Sequence, residues 1–150
     1  MSKVEEVSHE TFEFVEFQVD QSRFGISITL VREIIEPVQV TLIPHSHPYI
    51  KGIIQLRGEV LPVVDFQKMT GTSGTDNGAD TKYIVAEFDG TTMVLEVSAV
   101  IQIERINFTE IEKASEVYVG EKIPVMGVIK REDGIILLVD FETAIAAEFA

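Results

Sequence analysis

The segment from Ile50 to Phe66 returns in muted form from Met126 to Phe141, and this duplication constrains the fold more than any other feature of the chain. Each copy has a glycine near its start, Gly52 or Gly127, and closes on Val-Asp-Phe, at Val64-Asp65-Phe66 and Val139-Asp140-Phe141. Between glycine and aspartate lie two short apolar runs separated by a polar, glycine-containing break. That is the pattern of a hairpin buried on at least one face.

A second pair of segments aligns without a gap, Phe14 to Ile28 against Tyr83 to Val97, with Asp20 and Asp89 together at the turn. Asp89-Gly90 suits a type I′ turn, whose two central residues need positive φ. A duplicated set of short strands is the simplest reading of the chain. The pseudo-repeats run about 12–70 and 82–149.

With 150 residues the chain can bury about 68–70% of its unfolded surface, enough for one compact domain or two small ones sharing a core. The whole of 1–150 reads as a single domain. Cysteine is absent, which excludes disulfides, thiolate metal sites and cysteine nucleophiles. The first ten residues are polar and acidic rather than signal-like, and no apolar run approaches the ~18 residues of a membrane span. These features predict a cytoplasmic protein without direct membrane insertion. The net charge of −13, with no basic cluster to relieve it, opposes phosphate backbones and argues against nucleic acid as a partner.

Along the chain, Met1 to Glu10 reads as a loose leader. Phe12 to Val19 and Phe24 to Ile28 form a hairpin turning at Asp20 to Arg23. Val31, Ile34 and Ile35 then break the period-two pattern, consistent with a helical turn or a bulged strand; their β-branched content favours the strand. Pro37 and Pro44 bound a short segment, Val38 to Ile43, and Pro44 to Pro48 is an exposed loop. Residues about 71–81, rich in Gly, Ser, Asn and Asp, read as a mobile loop joining the halves. Phe108 to Lys113 suits one helical turn, and the i, i+4 spacing of Phe141, Ile145 and Phe149 suits a terminal amphipathic helix. Many short strands with few helices argue for a mainly β barrel or sandwich.

Residues capable of chemistry are few. His45 and His47 lack a third ligand at recognisable spacing, so a loop role outweighs a metal site. Asp65 and Asp140 follow strands, where an aspartate commonly caps the next helical turn, so capping outweighs acid–base catalysis. No Ser, Asp and His pattern stands out, which leaves open only a triad that the fold would have to assemble. The 71–78 stretch lacks the Lys-Ser/Thr of a phosphate loop. No catalytic, metal or cofactor site is assigned. Arg57, next to Gly58 at a hairpin tip, should be exposed, either paired locally with Glu59 or presented to a protein partner, where arginine is an enriched anchor. Glu33 poses the same choice between a solvated face and a contact.

At Val31-Arg32-Glu33-Ile34-Ile35, Ile43-Pro44, Ile50 to Gly58 and Leu61 to Asp65 the sequence resembles the CheW family of chemotaxis coupling proteins. The wording at Val31 to Pro37, Pro44 to His47, Leu56 to Glu59 and Tyr83 to Phe88 is closer to the CheW-like N-terminal domain of CheV proteins, which continue into a receiver domain. The resemblance spans about Phe12 to Phe149. It implies two intertwined SH3-like five-stranded β-barrels with a short C-terminal helix. It also implies a non-enzymatic scaffold that joins the cytoplasmic tip of a chemoreceptor to the regulatory domain of the histidine kinase CheA, in receptor arrays at the inner membrane. Carried over residue by residue, the coupling surface comprises Val31, Glu33 and Arg57, with Gln55 and Leu56 beside them. Gln55 stands where Asn is usual, and Ser98 stands where Asp is commoner.

Three rivals differ from this reading. One is the CheW-like part of a CheV whose receiver is absent. Another is a detached CheA regulatory domain, which the start Met1-Ser2-Lys3 disfavours. The third is a small acidic hydrolase, which would need two carboxylates in one cleft with separated pKa values.

Overall fold

The computed structural model describes residues 10–44, 47–70, 80–113, 118–119 and 123–144. The expected leader up to residue 9, most of the expected 71–81 loop, His45, Ser46 and the part of the expected terminal helix beyond residue 144 lie outside the described residues. Helical backbone is present at 141–144.

Twelve strands make up the described chain: β1 Thr11–Val19, β2 Ser22–Ser27, β3 Val31–Ile35, β4 Ile50–Leu56, β5 Glu59–Asp65, β6 Lys82–Phe88, β7 Thr91–Val97, β8 Ala99–Asn107, β9 Ile111–Glu112, β10 Tyr118–Val119, β11 Ile123–Arg131 and β12 Gly134–Val139. Helix α1, Phe66–Thr70, follows β5. One sheet, here barrel 1, has the order β3-β6-β7-β5-β4; the other, barrel 2, runs β8-β1-β2-β12-β11, with the two-residue strands β9 and β10 added on β11.

Each barrel draws on both halves of the sequence. The hairpin β1–β2 sits between β8 and β12 of the second half, and the hairpin β6–β7 sits between β3 and β5 of the first. The matching extends to register. The β12–β2 and β5–β7 contacts are both parallel, and β4–β5 and β11–β12 both carry a bulge immediately before Gly52 or Gly127. Residues downstream of β3 and of β8 close the barrels: Thr41 bridges Ile53, and β9 pairs with β11. Thr41 makes only this bridge, so no strand forms across Val38 to Ile43.

Exchange of hairpins explains why the apolar runs are nearly continuous, because these strands are buried on both faces. On β6, Tyr83 and Val85 face the interior of barrel 1, while Ile84, Ala86 and Phe88 face a core shared by both sheets. Phe14, Ile129, Ile136 and Leu138 fill barrel 2. At the centre of the shared core the two Val-Asp-Phe copies meet, with the Phe66 and Phe141 rings 5.3 Å apart. Both aspartates cap as expected. Asp65 Oδ1 accepts the Lys68 N–H at 3.1 Å, and Asp140 Oδ1 accepts the Thr143 N–H at 3.1 Å.

Turn chemistry follows the sequence at Asp89-Gly90, with φ of 48° and 82°. The first hairpin turns at Asp20-Gln21 alone, shorter than the Asp20 to Arg23 expected, because Ser22 and Arg23 pair with Val19 and Gln18. Ser98 has a role here: its Oγ accepts the Asp20 N–H at 2.9 Å and ties this turn to the start of β8. Phe108–Glu110 is a single 3-10 turn leading straight into β9.

Candidate partner-binding surface

The segment that was ambiguous between helix and strand contains both. Ile28–Leu30 forms one 3-10 turn, and β3 follows with a bulge between Val31 and Glu33. The bulge sets the directions of the two side chains. Val31 pairs opposite Ala86 and packs against the shared core, whereas Glu33 pairs opposite Val85 on the barrel 1 side. Directly opposed residues in a sheet share a face.

Arg57 and Gly58 are the two turn residues of the β4–β5 hairpin, with φ of 48° and 84°. Both angles belong to a type I′ turn, and an arginine at positive φ is uncommon. The Arg57 side chain is 66% exposed. Its Nη1 donates to Glu33 Oε2, and this pair raises the guanidinium pKa above its ordinary value through the hydrogen bond first and the charge second. Beside it, Arg32 Nη2 donates to Glu59 Oε1 at 2.8 Å. The local Arg57–Glu59 pair allowed by the sequence is therefore replaced by two ion pairs that cross the seam where barrel 1 closes.

Glu33, Leu56 and Arg57 thus converge at one mouth of barrel 1, with Leu56 half-buried against its interior. Gln55 is exposed on the outer face of β4. Val31 lies across the bulge, towards the shared core. One apolar residue that sequence reasoning did not single out extends the surface, Val60 at 60% exposure. Val60 pairs opposite Gln55, and its signal was available: period two along β5 points Val60 and Pro62 away from the buried Leu61 and Val63.

Among the described residues the other candidates for chemistry do not assemble. His47 Nδ1 accepts the Tyr49 N–H at 3.1 Å, and the two rings lie 5.3 Å apart. Among the described residues no group of three or more His, Cys, Asp or Glu is placed to hold a metal ion, and no helix is long and apolar enough to cross a membrane.

Residues 13–149 match the CheW-like domain family. The chain belongs to that family. It is 31% identical over 137 residues to the chemotaxis protein CheW of Rhizobium meliloti, covering 91% of this chain and 88% of the relative. The solved structure of the scaffolding protein TtCheW from Thermoanaerobacter tengcongensis superposes with a TM-score of 0.79 at 30% identity, covering 86% of this chain and 88% of that one. The chemotaxis protein CheV3 of Helicobacter pylori is 28% identical over 116 residues, which are 77% of this chain but 37% of that protein. The two-barrel architecture expected of a CheW-like domain is the one observed.

Proposed function

We propose that this chain is a non-enzymatic chemotaxis adaptor that couples the cytoplasmic tip of a chemoreceptor to the regulatory domain of CheA. In this reading 1–150 acts as one domain in the cytoplasm, recruited to receptor arrays through its partners. The observation that carries it is the barrel 1 mouth. Glu33 holds Arg57 out from a two-residue turn, beside the exposed apolar Val60 and the half-buried Leu56, with Val31 across the β3 bulge. Apolar groups there would supply most of the affinity, and the charges would set partner choice. Capping by Asp65 and Asp140 gives both carboxylates a structural task, which supports a scaffold over a hydrolase using them.

A second reading follows from the CheV3 match, in which the aligned part is a fraction of a longer protein: the chain would be the coupling part of an adaptor tuned by a receiver domain. Whether the native reading frame continues past Ala150 decides between the two.

Titration calorimetry with an isolated CheA regulatory domain and with a receptor-tip fragment tests the proposal. Both should bind the wild-type chain, and Arg57→Glu should weaken binding of the receptor fragment while leaving the melting temperature nearly unchanged, because the side chain is exposed. A folded chain that binds neither partner would sink the reading. A large fall in melting temperature would make Arg57 structural instead.

A further inference from the structure

The mouth of barrel 2 that corresponds to the partner surface is built differently, around a buried charge. Glu16 on β1 is 1% exposed, although it lies in a strand whose alternation reads as polar-out at that position. Its equivalent on β6 is Val85. Glu16 Oε2 accepts Arg23 Nε at 2.8 Å, and Arg23 Nη1 reaches Asp133 Oδ1 in the β11–β12 turn at 2.8 Å. In the other direction Glu16 Oε1 accepts Gln102 Nε2 at 3.3 Å, and the same amide nitrogen donates to Glu104 Oε2 at 3.1 Å. Glu104 Oε1 in turn accepts Arg131 Nη2 at 2.5 Å.

These contacts form a closed circuit. They step from β2 to β1 to β8 and then, through Glu104 and Arg131, join β8 to β11 across the barrel seam. Arg131 and Asp133 belong to the same hairpin, which completes the ring. In barrel 1 the equivalents of Glu104 and Arg131 are Ile35 and Leu56, both packed on its apolar interior. The barrel 1 mouth keeps its ion pairs at an exposed rim over an apolar interior, whereas barrel 2 carries a charge inside.

We propose that this ring is a latch: it holds the β11–β12 turn across the mouth of barrel 2 and releases it, without unfolding barrel 1, when Glu16 loses its negative charge. The charged groups facing Glu16 are Arg23 from β2, Glu104 from β8 and Arg131 from β11, with Asp133 and, at 4.0 Å from Arg131, Glu110 one step further out. Glu13 and Arg105 pair opposite each other in register with Val15 and Ile103, on the other face of β1 and β8. Burial of Glu16 opposes its ionisation most strongly, but the hydrogen bonds it accepts from Arg23 and Gln102, together with the Arg23 charge, hold its carboxyl below the ordinary value. Asp133 is likewise held low, first by its hydrogen bond from Arg23 and then by that charge. A depressed folded-state pKa means that the ring's contribution is fully present above the ordinary carboxylate range and is lost as pH falls through the lower folded values.

Hydrogen exchange along the full chain tests the latch, with Glu16→Gln and Arg23→Gln compared with wild type. Amides at 131–135 should exchange about a hundredfold faster in Glu16→Gln, the scale set by losing one partner of a buried ion pair, while those at 55–59 stay unchanged. In Arg23→Gln the Asp133 carboxyl, followed by NMR, should titrate upward towards its ordinary value. In wild type, protection at 131–135 should disappear in acid before protection at 55–59 does. Equal acceleration at both tips, or no change at either in both variants, would overturn the proposal and leave Glu16 a buried structural charge.

Discussion

Phe66→Ala should destabilise the protein by about 3–5 kcal/mol, the usual range for deleting a fully buried phenylalanine, and lower the melting temperature by roughly 10 °C. Phe66 is completely buried. Its ring meets Phe24 edge-on at 5.2 Å and Phe17 edge-on at 5.5 Å, and lies 5.3 Å from Phe141. Phe17 and Phe24 come from the hairpin inserted into barrel 2, whereas Phe66 leaves β5 of barrel 1. Truncation therefore opens a cavity at the joint between barrels, where no single element can move to fill it. Phe108→Ala is the control. That ring is 50% exposed, so its loss should cost less than about 1 kcal/mol. Thermal or urea unfolding of the two variants checks the contrast; comparable losses would mean that the shared core does not carry the stability assigned to it.

Gly52→Ala should be the most damaging small-residue change in barrel 1. A Cβ built at Gly52 would lie 2.3 Å from the Thr41 carbonyl oxygen and 2.5 Å from Val40 Cγ1. Thr41 is held there by a reciprocal pair of backbone hydrogen bonds with Ile53, at 2.8 and 2.9 Å, and this bridge closes the barrel. A backbone oxygen so fixed cannot retreat, so the substitution should break the bridge at a cost of about 2–3 kcal/mol, the upper part of the overpacking range. The equivalent Gly127→Ala meets a side-chain methyl, Ile111 Cγ2, at 2.4 Å. That methyl sits on a stiff β-branched carbon, but the nearest backbone oxygen, of Glu112, is farther off at 3.3 Å, so a smaller cost of about 1–2 kcal/mol is expected there. Denaturant midpoints decide it: the Gly52 variant should be clearly the weaker. The reverse order would mean that barrel closure at Thr41 contributes little.

Much of the fold was legible because it rests on local chemistry written twice. The two Val-Asp-Phe copies, the Asp89-Gly90 turn and the paired glycines each identify a hairpin end, and the structure gives each a physical task. What could not be read was which hairpin enters which barrel. The apolar runs report burial on at least one face, and the resemblance implied intertwined barrels, but neither records which strands β1–β2 and β6–β7 join; that emerges only in three dimensions. The same limit hid the partner of Arg57. Glu59 is two residues away and Glu33 twenty-four, yet barrel closure brings Glu33 to the guanidinium and turns Glu59 towards Arg32. Glu16 escaped notice for a related reason. Between Val15 and Phe17 it alternates like any solvent-facing residue, and only the strands packed around it make that face an interior one.

The candidate surface divides in the same way. Arg57, Glu33 and Leu56 come together, and Gln55 and Val60 share an outward face, as alternation along β4 and β5 requires. Val31 stands across the β3 bulge, which no periodic reading of Val31 to Ile35 could locate. Its half-burial against the shared core gives it a structural share in addition to any contact with a partner.

An adaptor without chemistry of its own should alter kinase activity only by joining the kinase to its receptor. The most direct test measures CheA autophosphorylation in reconstituted receptor membranes with the wild-type chain, with Arg57→Glu, or with no addition. Wild type alone should activate the kinase, with the variant folded and close to the no-addition level. A folded wild-type chain that leaves kinase activity unchanged would rule out coupling.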